Sequence, residues 1–446
     1  MSRLLTVLAA LVALSLSAQT ADANGRFPTS TGVGFTPGET QTILVPVTFG
    51  LLVSTDGGTN FDWVCEQAIG YTGTYDPAYT VAADGAIFAT NYEGVRVSRD
   101  GACQWDAVTD LEGKWVSDIE VGGDGKVWAV TFTGGQTNDV WVSSDNGLNF
   151  VSANLPRDDV WFQSVKIAPS DPDRIYVTGL QFTKTAHTIL GFVSENGGAT
   201  WQQMATSTME YHAQPRLLLE AVAPDDPDTL FASSVRANTP LGDILYRSVD
   251  KGQTWTEIAR VADTIAAVLS RAGGSLIVGS LIDGVRVSAN NGTTFTSPTE
   301  QPPMNCIGVR SDGLLFACGL NWAPSFFAIA TSSDGQTWTP MMRFCDIRGP
   351  LQCDAGTIQA ETCTQEPWDV VQVQVAVGDC DAPPGVDAGV NLTDGAPTDG
   401  PTQDAGTTKP PDKCGGCGSN GSAVATLLVL LPLFFRRRKL KNVASS

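Results

Sequence analysis

Ser143-Ser144-Asp145-Asn146-Gly147-Leu148-Asn149-Phe150 is the stretch on which the fold turns. A serine, an acid two residues on, a glycine two further and a terminal aromatic describe a tight reversal. The carboxyl oxygen can accept from backbone N–H groups ahead of it, glycine supplies a positive φ, and the serine hydroxyl closes the loop. The pattern recurs at Ser54-x-Asp56-x-Gly58-x-Asn60-Phe61 and at Ser248-x-Asp250-x-Gly252-x-Thr254-Trp255. Four further copies alter one element. Asp100 precedes Ala102 at the glycine slot, ahead of Trp105; Asn196 and Asn290 replace the acid ahead of Trp201 and Phe295; and the copy at Asp334, ending at Trp338, is one residue shorter. The terminal aromatics fall 40 to 54 residues apart. That is the length of a four-stranded blade, so the expected fold is all-β, a seven-bladed β-propeller.

The segments between the turns support four strands per blade. Residues 116–121, 127–132, 140–144 and 149–154 are strand-forming runs separated by Gly or Asp turns. Ahead of the first turn only 42–49 and 50–54 are available, so blade one lacks an innermost strand. Residues 368–377, Trp-Asp-Val-Val-Gln-Val-Gln-Val-Ala-Val, alternate valines and are expected to supply that strand from the C-terminal side, closing the ring and removing exposed sheet edges. Composition agrees with this class: 446 residues, 42% apolar, 46 glycines, 25 prolines and 17% charged exclude dominant disorder and a helical bundle. A net charge of −20 leaves no basic footprint for nucleic acid.

The seven turns are similar to the Asp-box, or BNR repeat. The resemblance covers roughly residues 27–378 and implies a propeller with each turn between the third and fourth strands of its blade. It makes Asp56, Asp100, Asp145, Asn196, Asp250, Asn290 and Asp334 structural residues. Calcium ligation is not expected, because the spacing and distal glutamate of an EF-hand loop are missing.

Both chain ends read as addresses. Arg3, the apolar run 4–16 and Ala21-Asp22-Ala23 form a secretory signal, residues 1–23, so the protein is exported. The propeller is assigned to 24–380 and a flexible Asp/Gly/Pro/Thr-rich stalk to 381–413. Residues 414–446 carry Cys414-Gly-Gly-Cys417, the apolar stretch 423–435 and Arg436-Arg437-Arg438-Lys439. At about 1.5 Å per residue that stretch reaches only about 20 Å, short of a ~30 Å hydrocarbon core. The tail resembles the MYXO-CTERM sorting signal. The resemblance implies a sorting protease as partner, display on the cell surface or outer envelope with release as a variant outcome, and modification at Cys417. The plainer alternative is a single-pass anchor with a tail disulfide. Membrane contact is expected through this segment alone.

Ten cysteines in an exported chain are expected as disulfides, since two histidines and one CxxC offer no metal set. Cys306 and Cys318 flank Ser311-Asp312-Gly313 almost symmetrically, so a hairpin brings them face to face. Cys65 and Cys103 are candidates to link blades one and two. Cys345, Cys353, Cys363 and Cys380 are expected to tie the excursion before the closing strand.

Asp-box propellers include sialidases, whose resemblance implies an arginine triad and an Arg-Ile-Pro sequence. Here Arg174-Ile175 continues to Tyr176, and Arg96 and Arg286 stand in matching Gly-Val-Arg-Val strands as repeat residues. Other glycosidases need two carboxyls across a cleft. Candidates on the open face, opposite the repeated turns, are Glu93, Asp158, Asp159, Glu210 and Asp283. His187 and His212 lack a nucleophile-elbow partner and read as loop residues. The same face collects Tyr71, Tyr75, Tyr92, Trp115, Trp161, Tyr211 and Trp322, flat rings suited to sugar or peptide recognition. The leading expectation is a monomeric, non-enzymatic binding module for a glycan, peptide or protein, with Trp161, Tyr211, Trp322, Tyr92, Glu210 and Asp158 as contacts and no cofactor or metal. The alternatives are a glycoside hydrolase or lyase using open-face carboxylates, and an envelope assembly factor, as in Asp-box propellers resembling photosystem assembly factors.

Overall fold

The computed structural model describes residues 27–73, 75–182, 187–210, 216–235, 242–381 and 440–441. The expected signal, almost all of the stalk, Cys414, Cys417 and the apolar stretch of the tail lie outside the described residues, as do Tyr211 and His212. No described helix is long and apolar enough to cross a membrane.

Seven antiparallel sheets stand in a ring, over residues 34–64, 79–107, 116–152, 160–203, 217–260, 265–296 and 306–342. Blade three shows the pattern. Val116–Val121, Val127–Thr131, Val140–Ser143 and Val151–Ser152 pair in sequence, with Val127 opposite both Val121 and Ser143. The first two strands are buried along their whole length, as β-branched runs packed on both faces require. In blade six the outermost strand shrinks to the single pairing of Val287 with Thr296. Leu440–Lys441 lies parallel to the inner strand of blade two.

The seven repeated turns share one geometry. In blade three the Ser143 hydroxyl donates to the Asp145 carboxylate (2.7 Å), Gly147 N donates to Ser143 Oγ (2.8 Å) and Asn149 N to Asp145 Oδ1 (2.9 Å). Asn196 accepts from Thr200 N in the same way, and Asn290 from Thr294 N, so the amide satisfies the turn as the acid does. Each turn also wedges against the preceding blade. A Cβ on Gly147 would fall 2.3 Å from the Phe88 ring of blade two, and one on Gly252 would fall 2.4 Å from Met204 of blade four. The terminal aromatics follow it inward: Phe150 is buried with the residues of blade two, and Trp201 Nε1 donates to Ala153 O of blade three.

The ring does not close as the valine pattern predicts. Blade one obtains its inner strand from Gly34–Phe35, which pairs with Leu44 and Ile43. Residues Glu366–Gln374 form a helix instead. Val371 and Val375, four apart, are buried on one side while Val373 is 69% exposed, a helical and not an alternating pattern. Pro367 in the first turn suits a helix start, where no N–H is needed. The C-terminal segment reaches blade one from outside: Gly349–Pro350 adds a fifth, parallel strand beyond Asp62–Val64.

Four disulfides occur among the described residues, a number that fits an extracellular protein. Cys306 and Cys318 are bonded as directly opposed residues of a hairpin. Cys65 and Cys103 do not link blades one and two to each other. Cys65 bonds Cys363 and Cys103 bonds Cys353, because the C-terminal segment runs over the outer edges of both blades; Cys345–Cys380 alone closes within that segment.

Candidate functional site: an aromatic arc on the open face

Antiparallel pairing puts the first-to-second and third-to-fourth turns of every blade at one end of the ring. The second-to-third turns and the blade-to-blade linkers lie at the other, open end, where an aromatic arc crosses blades two to four. It runs Tyr71, Tyr75, Tyr92, Trp115, Phe132, Trp161, Phe182 and His187, with successive ring centroids 6.3, 4.4, 4.7, 4.9, 4.6, 3.8 and 4.7 Å apart. Interplanar angles of 48° to 70° make it a run of tilted and edge-to-face contacts, the geometry ring quadrupoles favour. Tyr75 is fully buried, with its hydroxyl bonded to Thr90 Oγ1 at 2.9 Å; Tyr92 is 41% exposed, and Trp115, Trp161 and Phe182 are half-buried.

Two structural positions supply the rings. Tyr92 and Phe132 follow the second strands of blades two and three directly, and Phe182 ends the second strand of blade four. Trp115 and Trp161 stand at the entrance to the first strands of blades three and four. Alternation of the two positions around the ring makes the arc continuous.

The sequence-predicted residues divide among three places. Tyr92 and Trp161 belong to one arc, joined through Trp115 and Phe132. Asp158 is exposed, three residues before Trp161, and accepts from Thr137 Oγ1 at 2.5 Å. Trp322 lies apart, in blade seven: it packs edge-on to Phe27 at 4.8 Å and 6.1 Å from Phe344, which in turn meets Phe49. Glu210 belongs to a third set, on blades five and six. Its carboxylate reaches Arg260 at 3.3 Å, and its backbone is held by the Tyr246 and Ser234 hydroxyls. Phe132 and Phe182 escape the sequence reading, and His187, expected in a loop, instead opens the third strand of blade four, opposite Phe182. The signal that would find the two phenylalanines is their register with Tyr92 in the repeat.

Charges on the open face are mostly engaged. Arg157 and Gln181 hold the Asp159 carboxyl below the ordinary carboxylate range. Asp283 accepts from Arg286 and from Ala262 N, and Arg286 donates onward to Arg260 O. Asp243, 3% exposed, binds Arg216 at 2.9 Å and caps Ile265 N. Asp159, held ionised in this way, is poorly suited to donate a proton, which a glycosidase acid must do.

Seven blades about one axis, with a repeated turn on one face and a divergent open face, define a β-propeller. The chain belongs to the family described as the DUF6242 beta propeller domain, whose model matches residues 48–278. No curated protein matches it in sequence. Among solved structures, an ancestral GH74 enzyme is similar with a TM-score of 0.51 at 15% identity, over 71% of this chain and 46% of that one. A GH74 xyloglucanase from Xanthomonas campestris gives 0.41 at 14%, over 69% and 66%, and YCF48 bound to D1 peptide gives 0.44 at 13%, over 65% and 90%. The chain thus spans less than half the length of the ancestral GH74 enzyme. At these identities the likeness concerns the fold alone.

Proposed function

We propose that this is an exported propeller, displayed at the cell surface through its C-terminal segment, that binds a glycan, peptide or protein without chemical turnover through its open face. The observation that carries the reading is the unbroken arc from Tyr71 to His187, which includes the 41%-exposed Tyr92. Rings at a solvent-facing rim give large contact area at small conformational cost and leave edges and faces for sugar C–H groups or peptide side chains. In this reading the repeated turns are Asp-boxes whose acids and amides serve structure only. Residues 1–23 are removed on export, 381–413 are the stalk, and 414–446 are a sorting signal of the MYXO-CTERM kind, with Cys417 as the modified residue. The glycosidase alternative is weakened at Asp159, which Arg157 holds in an ion pair.

The test is a panel of soluble polysaccharides and peptides, followed by tryptophan fluorescence for binding and by product analysis for turnover. Binding that Trp161→Ala and Tyr92→Ala weaken, with no product formed, is the expected result. Product release that Asp158→Asn or Glu210→Gln abolishes would replace this reading with the hydrolase.

A further inference from the structure

We propose that residues 343–380 are a covalent latch that holds the ring shut at the seam between blade seven and blade one. Every other seam joins blades that follow each other directly in the chain. The last one joins the two ends of the propeller, and among the described residues no strand is shared across it. Across it Ser30 Oγ donates to Ala328 O (3.0 Å), Asn305 Nδ2 to Ser30 O (2.6 Å), Arg310 to Thr40 O (3.2 Å) and Ser311 Oγ to Glu39 O (2.9 Å), while Phe35 packs on Phe316 at 4.8 Å in an apolar core that both blades share, all of it noncovalent.

The segment leaving blade seven does the rest. Phe344 is fully buried, with its backbone N bonded to Asn321 Oδ1 and its ring 5.1 Å from Phe49 of blade one. Arg348 pairs with Asp62, Leu351 N donates to Trp63 O at 2.8 Å, and the fully buried Gln359 donates to Trp63 O while accepting from Cys65 N. Trp368 then lies over Trp63 at 5.6 Å. Two disulfides pin this path to separate blades. Cys65–Cys363 holds blade one and Cys103–Cys353 holds blade two, at sequence separations of 298 and 250 against 12 for the hairpin bond Cys306–Cys318. A cross-link closing a long loop removes far more freedom from the open chain than one within a hairpin. A propeller that lacks strand exchange is therefore closed by a strap bolted across its first two blades.

The two bolts differ in access. Cys65 and Cys363 are 0% exposed, whereas Cys103 and Cys353 are half-buried. A dithiol reductant delivers two electrons and two protons to each bridge: the S–S bond breaks, both cysteines become thiols, and the reagent closes to a cyclic disulfide. Cys103–Cys353 reduces first.

The experiment compares hydrogen exchange of the wild-type protein with that of the variant Cys65→Ser, Cys103→Ser, Cys353→Ser, Cys363→Ser, which keeps Cys306–Cys318. Exchange at 43–54 and 329–342 is expected to rise at least tenfold while 160–194 is unchanged. Equal rates at the seam, or a uniform rise over all blades, would overturn the latch. Should the variant not fold, the wild-type protein is reduced stepwise, alkylated and mapped. Seam exchange must then follow loss of Cys65–Cys363; a rise that follows only Cys306–Cys318 refutes the proposal.

Discussion

The two ends of this ring are made from the same seven repeats and have opposite character. At the turn-bearing end, every blade repeats hydrogen bonds on a serine and an acid or amide, and the glycine beside them, Ala102 in blade two, fits against the previous blade. At the open end, equivalent positions diverge into an aromatic arc on blades two to four and a paired-ion set on blades five and six. Uniformity follows a requirement that is local and identical in each blade, namely reversing the chain and sealing a seam. Divergence marks the end where no such requirement acts, and where a ligand surface can be built without cost to the fold.

The contrast can be broken by exchanging effects between the ends. The largest expected effect is structural: Gly147→Val on the turn end drives a side chain into Phe88 and strains a φ of +77°, so stability should fall by about 3 kcal/mol in urea unfolding. Ligand affinity of the protein that remains folded should be unchanged. A loss of affinity at constant stability would show that the ends are not separable.

Next in size, Tyr92→Ala on the open end should weaken a ligand that engages the arc about tenfold, or about 1.4 kcal/mol, by titration calorimetry. Its two ring contacts, at about 0.5–1.5 kcal/mol each, put the accompanying loss of stability at about 1–3 kcal/mol. Arg260→Ala sharpens the comparison within the open end. Its pairs with Glu257 and Glu210 are partly exposed, so the cost should stay under about 1 kcal/mol, with ligand affinity intact.

The smallest effect is acid sensitivity of the turns. Asn60 and Asn149 hold the Asp56 and Asp145 carboxyls down to about 2 through side-chain and backbone hydrogen bonds. Both stay ionised in the fold below the unfolded value of about 3.9. Their stabilisation is thus present above about pH 4 and is lost as pH falls toward 2. Asp145→Asn, which copies the turns of blades four and six, should keep the fold and flatten this part of the Tm profile between pH 2 and 5. An unchanged profile would mean that the carboxylate contributes nothing the amide does not.

How much of this could be read beforehand follows the same division. The turns were legible because serine, acid and glycine act over eight residues, and their spacing counted the blades. The closing strand was misread because Val371, Val373, Val375 and Val377 alternate in sequence, while burial of Val371 and Val375 selects a helix; the short true strand, Gly34–Phe35, carries almost no pattern. Tyr92 and Trp161 were legible as rings in linkers. Their union was not, because it depends on Phe132 and Phe182, which look like ordinary strand ends until blades are placed side by side. Trp322 carries the same residue-level signal as Trp161 and still belongs elsewhere, with Phe27 and Phe344.

The bond between Cys345 and Cys380 also sets how the molecule carries load. Tension arriving from beyond residue 380 crosses that bridge to the root of the C-terminal strap, where Arg343 additionally holds the Cys380 carbonyl. It cannot unzip the helix Glu366–Gln374 or peel the parallel strand from blade one, because the chain between the two cysteines bears none of the force. A tether attached there would load the exit of blade seven, and the bonds from Cys363 to blade one and from Cys353 to blade two would stay outside the path of the force.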